Sequence, residues 1–114
     1  MIITRSDVLT ALSRHIGEDN GVHIERLVAE ILGTSERDAA AERRVRAVVS
    51  DLREEGGHIC AVPETGYFMA ANDEELERYY ISFLRSRALK SLFLISRAKK
   101  IALPDLIGQL KLPT

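Results

Sequence analysis

A chain of 114 residues has room for one compact domain and one appended element, and 46% apolar with 29% charged residues is a globular composition that excludes disorder. The single cysteine, Cys60, excludes an internal disulfide framework and fits a reducing compartment. The net charge of −1 hides an asymmetry: residues 1–77 carry 8 Lys or Arg against 16 Asp or Glu, and residues 78–114 carry 8 against one acid, Asp105.

In chain order, Thr4 and Ser6 can each cap a first helix. Val8, Leu9, Leu12 and Ile16 follow at helical spacing, and glycines 17 and 21 end the pattern. Residues 22–24 form a short extended bridge. Residues 25–32 read as a second helix with Leu27, Val28, Ile31 and Leu32 inward and Gly33 as its stop. Residues 34–38 are a turn, in which Ser35 and Asp38 offer a variant capping box. A third helix spans 39–55, with Val45, Val48, Val49 and Leu52 on its buried side and Gly56-Gly57 after it. Leu12, Leu27 and Ile31 are expected opposite Val45, Val49 and Leu52.

Two β-prone runs, 58–62 and 67–70, flank Pro63-Glu64-Thr65-Gly66 and predict a hairpin. Asn72 and Glu75 then start a helix with three acids at its positive end. The pattern runs unbroken to Pro104, about 30 residues or about 45 Å. Beyond Pro104, Gly108 and Pro113 predict fraying.

The expected order is helix, extended bridge, helix, turn, helix, hairpin. Within it stand Arg43-Arg44-Val45-Arg46-Ala47-Val48-Val49-Ser50-Asp51-Leu52-Arg53-Glu54-Glu55-Gly56-Gly57-His58-Ile59 and Gly66-Tyr67-Phe68-Met69-Ala70. Over residues 6–71 the sequence resembles the winged helix-turn-helix transcription factors, particularly those of the biotin-repressor type and phage or prophage relatives. There a basic recognition helix ends in Leu-x-x-x-Gly, an Ile enters the first wing strand and Gly-Tyr opens the second. The resemblance implies a mainly α fold with a small β-hairpin. It divides the chain into a winged domain, 1–71, and a long C-terminal helical extension, 72–114. It also implies sequence-specific binding of double-stranded DNA by a small transcriptional regulator.

The residues carry a physical reason of their own. With the valine stripe inward, about 100° per residue turns Arg43, Arg46, Ala47 and Ser50 outward, toward base edges in a major groove. Arg44 and Arg53 flank that face at phosphate-contacting positions. The plainer reading is a solvated face with internal ion pairs such as Glu42 with Arg46. Against a strong grip stand the acidic hairpin tip, the acids Glu42, Asp51, Glu54 and Glu55, and a long turn ahead of the third helix.

On the C-terminal helix, Leu76, Tyr79, Tyr80, Phe83, Leu84, Ala88 and Leu92 form a stripe that Leu89, Phe93, Leu94, Ile95 and Ile101 widen. So much apolar surface needs a partner. A homodimer through Tyr80, Phe83, Leu84, Leu92, Phe93 and Ile95 supplies it, and dimers read palindromic half-sites. The alternative is a helix that breaks near Ser86 or Ser96 and folds back. The basic C-terminal part suits a nucleic-acid or acidic protein partner, or the acidic front half of its own or a sister subunit.

Other chemistry is sparse. His58, Cys60 and His23 could approach a metal, but a structural His and a buried thiol are the preferred reading. Tyr67 and Phe68 invite a stacking platform, but in a wing strand one of the two is usually core. No nucleophile motif, paired carboxylates or Gly-rich phosphate loop is present, so neither an enzyme nor a cofactor or small-molecule effector is expected. The longest apolar run, residues 92–95, falls far below the about 20 residues of a membrane span. The start of the chain lacks a leader pattern, so a cytoplasmic protein is expected. The competing function is a protein-protein adaptor that uses the same fold without touching DNA.

Overall fold

Thr4 caps α1 (Arg5–Leu12) through a reciprocal box: its Oγ1 accepts the Asp7 N–H at 3.1 Å, and the Asp7 carboxylate accepts the Thr4 N–H at 2.9 Å. The structure is a computed structural model describing residues 2–100 and 102–110. It is mainly helical, 64%, with a two-stranded antiparallel hairpin. Val8, Ala11 and Leu12 form the buried face of α1. Leu9 and Ile16, expected on that face, stay 43% and 51% exposed because Ala11 completes the stripe and the helix ends before Ile16.

Residues 13–23 then run past the hairpin. Ile16 pairs with Met69 in parallel and Val22 with Tyr67 antiparallel, on either side of a short 3-10 turn, Glu18–Asn20. The Val22 pair exchanges two hydrogen bonds, Val22 N–H to Tyr67 O at 2.8 Å and Tyr67 N–H to Val22 O at 2.7 Å. The hairpin joins β1 (Ile59–Val62) to β2 (Gly66–Met69), with Cys60 opposite Phe68 and Val62 opposite Gly66. β2 is therefore hydrogen-bonded along both edges. Gly66 has φ +87°, and a Cβ there would overlap the Val22 carbonyl, so glycine is required twice over.

α2 (Ile24–Leu32) begins one residue before its expected start and ends on Gly33 in the left-handed region. α3 (Ala39–Glu54) is capped by Asp38, whose carboxylate accepts the Ala41 N–H at 3.0 Å. The expected Ser35–Asp38 box is thus corrected: Asp38 is the cap itself, because the extended turn carries Ser35 outside the helix. The core comprises Val8, Leu12, Leu27, Val45, Val48, Val49, Ile59, Cys60 and Phe68, each at most 2% exposed. Leu52 joins them at 6%, and Ile31 packs against the core half-buried.

Asn72 caps α4 (Asp73–Leu76) by accepting the Glu75 N–H at 2.9 Å. Glu75 does not reach back to Asn72. Its carboxylate accepts the Ala71 N–H at 2.9 Å and the Glu18 N–H at 3.1 Å, tying this helix to the turn after α1. A π turn, Glu77–Ile81, leads into α5 (Ser82–Lys99). The chain divides into two compact units between Tyr80 and Ile81.

The helix expected to run to Pro104 ends earlier, where Lys100 takes φ 56°. α6 (Leu103–Leu110) then forms where fraying was expected. Pro104 sits in its first turn, where a missing N–H costs no hydrogen bond. α6 packs against α5, and Leu106 is 1% exposed. α5 is unbroken at Ser86 and Ser96. Ile101 and Pro113 lie outside the described residues. Among the described residues no helix is long and apolar enough to cross a membrane.

Candidate nucleic-acid interface

α3 turns its apolar stripe into the core, and this fixes what the opposite face offers. Arg43, Arg46, Ala47 and Ser50 are all exposed, as their spacing predicts. Ala47 leaves the middle of that face low. The two flanking arginines are more committed. Arg44 is exposed, with its Nε donating to the Ile3 carbonyl at 3.2 Å. Arg53 is half-buried, its Nε donates to the Ile59 carbonyl at 2.9 Å, and its guanidinium carbon lies 4.7 Å from the Tyr80 ring centroid. Both therefore brace α3 against its surroundings, and Arg43 and Arg46 are the cations presented outward.

A buried carboxylate organises the start of α3. Glu42 is 4% exposed and receives Arg37 through two bonds, from Nε at 3.1 Å and Nη2 at 3.2 Å. Arg37 also pairs with Glu25 of α2 at 3.3 Å, and Arg46 stands 3.9 Å from Glu42. The hydrogen bonds and charge of Glu42, then the charge of Glu25, hold the Arg37 guanidinium more firmly protonated than usual. This Glu25–Arg37–Glu42–Arg46 chain crosses the turn between α2 and α3. Sequence reasoning assigned Glu42 only to a surface pair with Arg46. The missed signal is spacing: Glu42, Val45 and Val49 fall at i, i+3 and i+7, which puts the carboxylate on the inward stripe.

Behind the interface, His15 joins two segments. Its Nδ1 lies 2.8 Å from the Asn20 carbonyl and its Nε2 lies 2.8 Å from Glu30 of α2. The hairpin tip places Glu64 outward and carries no Lys or Arg. His58 and His23 are exposed whereas Cys60 is fully buried. Burial pushes the Cys60 thiol up to about 11; nearby Arg53 opposes that shift and Glu75 adds to it. Among the described residues no group of three or more His, Cys, Asp or Glu could hold a metal ion.

The six residues expected at a subunit seam do not share one face. Tyr80 is half-buried in the π turn under Arg53. At about 100° per residue, Leu84 and Ile95 share an uncharged face of α5 with Ala88, Ser91 and Ala98. Phe83 and Leu92 lie about 100° and about 80° to either side of that face, and Phe93 lies opposite it. Leu92 is half-buried, while Phe83, Leu84, Phe93 and Ile95 are 57%, 43%, 49% and 38% exposed. Leu89 and Leu94, at 50% and 57%, add to this apolar surface.

Comparison with protein-family models, with curated proteins and with solved structures returns no match.

Proposed function

We propose that this protein is a winged helix-turn-helix DNA-binding protein that reads double-stranded DNA with α3 and acts as a homodimeric transcriptional regulator. The observation that carries the reading is the outward line Arg43, Arg46, Ala47 and Ser50 on a helix whose other side is anchored in the core. The order α1, Val22 bridge, α2, α3 and hairpin, with Val22 paired to β2, supports it. In this mechanism α3 enters the major groove, Arg43 and Arg46 reach base edges or phosphates, and Ala47 permits close approach. Arg46→Ala then loses about 1–3 kcal/mol of discrimination at one base position of a site selected from random duplexes. A variant that selects the same site with undiminished discrimination overturns the role of Arg46.

The homodimer is motivated by the exposed apolar side chains of α5. Leu84, Ala88, Ser91, Ile95 and Ala98 recur at spacings of four and three, the pattern of a helix-pairing seam. A two-fold pair along it covers Leu84 and Ile95, and a two-fold dimer carries two copies of α3, the number that a palindromic site of two half-sites calls for. Ile95→Glu puts a charge into that seam. Sedimentation is expected to give a wild-type dimer and a variant shifted toward monomer; a wild-type monomer at tens of micromolar overturns the seam.

The acidic hairpin tip and the exposed Asp51 and Glu54 carboxylates on α3 favour a second reading, an adaptor that docks a protein partner. Its mark is full-length protein that ignores duplex DNA even at low salt.

A further inference from the structure

α5 contains five cations, Arg85, Arg87, Lys90, Arg97 and Lys99, and no acid. Its cations are not scattered evenly. Phe83, Arg87, Lys90, Leu94 and Arg97 recur at spacings of four, three, four and three and fall on one face about 80° wide. All five are exposed, Phe83 and Leu94 each at 57%. Arg87, Lys90 and Arg97 have no ion pair among the described residues. Two of the guanidinium groups are held over rings instead: the Arg87 carbon lies 5.5 Å from the Phe83 centroid and the Arg97 carbon 5.2 Å from that of Phe93. A ring contact fixes the plane of a guanidinium and leaves its N–H groups available to an anion.

We propose that the Phe83, Arg87, Lys90, Leu94 and Arg97 face of α5 is a second nucleic-acid contact, which grips the phosphodiester backbone without reading sequence. It rests on the DNA-binding reading of α3 only in sharing its ligand. A backbone alternates anionic phosphates with uncharged sugars that present C–H edges, and this face alternates cations with apolar side chains. A bilayer surface asks for the opposite arrangement, with apolar residues on one side of the helix and cations on the other. Here Arg87 and Lys90 sit between Phe83 and Leu94, so burying the apolar residues in lipid would bury the cations with them. A second α5 in contact along this face would set cation against cation with no acid to separate them. The α3 interface brings Arg43 and Arg46 with acids close by, so a cation-only face elsewhere supplies the attraction that the hairpin tip lacks.

The test compares full-length wild type, Arg87→Gln/Lys90→Gln/Arg97→Gln and Arg43→Gln/Arg46→Gln on random-sequence duplex across a salt series. A second triple variant, Arg87→Lys/Lys90→Arg/Arg97→Lys, keeps the charge. Three phosphate contacts predict that the glutamine triple lowers the slope of log affinity against log salt by about 2–3 per bound protomer, with the site preference unchanged. The charge-keeping triple retains the wild-type slope. An unchanged slope in the glutamine triple overturns this proposal and leaves the α3 reading intact. An unchanged slope and site preference in the α3 pair, with the triple losing DNA, overturns the α3 reading and leaves this one. A triple that keeps its DNA slope but loses binding to phosphatidylcholine–phosphatidylserine vesicles makes the face a lipid surface. One that only changes the sedimenting species makes it a subunit contact. Either result overturns the proposal.

Discussion

The units before and after the Tyr80–Ile81 boundary solve the problem of apolar surface in opposite ways. In the first, α1, α2, α3 and β2 converge, and Leu12, Leu27, Val45, Ile59 and Phe68 are fully buried. In the second, α5 has no fully buried residue, and Leu106 of α6 is the one described side chain that is. The charges differ as well, with 16 acids against 9 Lys or Arg in residues 1–80 and 7 Lys or Arg against Asp105 alone in residues 81–114. The first unit holds its own core and anchors one side of α3 in it. The second leaves Phe83, Leu84, Leu89, Phe93, Leu94 and Ile95 for something else to cover.

The sharpest way to break this contrast is to truncate one large apolar side chain in each unit. Phe68→Ala is expected to cost about 3–5 kcal/mol, because a closed core collapses poorly around the cavity. Leu94→Ala, with the wild-type side chain 57% exposed, is expected to change stability by less than about 0.5 kcal/mol at concentrations where the protein is monomeric. Urea titration of both variants checks this; equal losses would mean that α5 is buried as deeply as the hairpin.

Gly66→Ala ranks next. It forces a left-handed φ on alanine and drives its Cβ toward the Val22 carbonyl, so a loss of about 1–3 kcal/mol is expected. Thermal melts that coincide with wild type would show that the Val22 bridge to β2 contributes nothing to the first unit.

Much of the first unit was legible because its periodicities are clean. The inward stripe of α3 and the hairpin around Pro63–Gly66 follow directly from residue type and spacing. The second unit was harder. Apolar residues occur all round α5, so no stripe dominates, and residues placed at one seam lie on several faces. Lys100 gave no sign that it would take a left-handed conformation, so Pro104 looked like the stop when it is the first turn of α6. At the candidate site the exposed arginines were legible, while the use of Arg53 by Ile59 and Tyr80 was not, since it depends on contacts distant in sequence.

Cys60 offers a slower probe of the first unit. With its thiol pushed up to about 11 by burial, it is expected to resist a thiol reagent near pH 8 until the core opens. Labelling is then expected to speed up with urea in step with unfolding. Rapid labelling of the native protein would place Cys60 outside the closed core.

The smallest expected effect lies at the first cap. Hydrogen bonds from the Thr4 backbone and then its side chain hold the Asp7 carboxyl below its ordinary range. A lowered carboxyl stabilises the fold above the unfolded value and loses that contribution as pH falls through the folded one. Asp7→Asn is therefore expected to destabilise slightly at neutral pH and to match wild type in acid strong enough to protonate the folded Asp7 carboxyl. A difference that persists unchanged in strong acid would assign the effect to shape rather than charge.

Binding of the full-length protein to random-sequence duplex across a salt series, followed by fluorescence anisotropy, tests the central claim most directly. The account predicts micromolar or tighter binding at low salt, weakening linearly on a log–log scale as counterions are retained, and a shallower slope in the Arg43→Gln/Arg46→Gln pair. Wild-type protein that leaves the duplex free at low salt and micromolar concentration would contradict it and turn the outward face of α3 into a protein-docking surface.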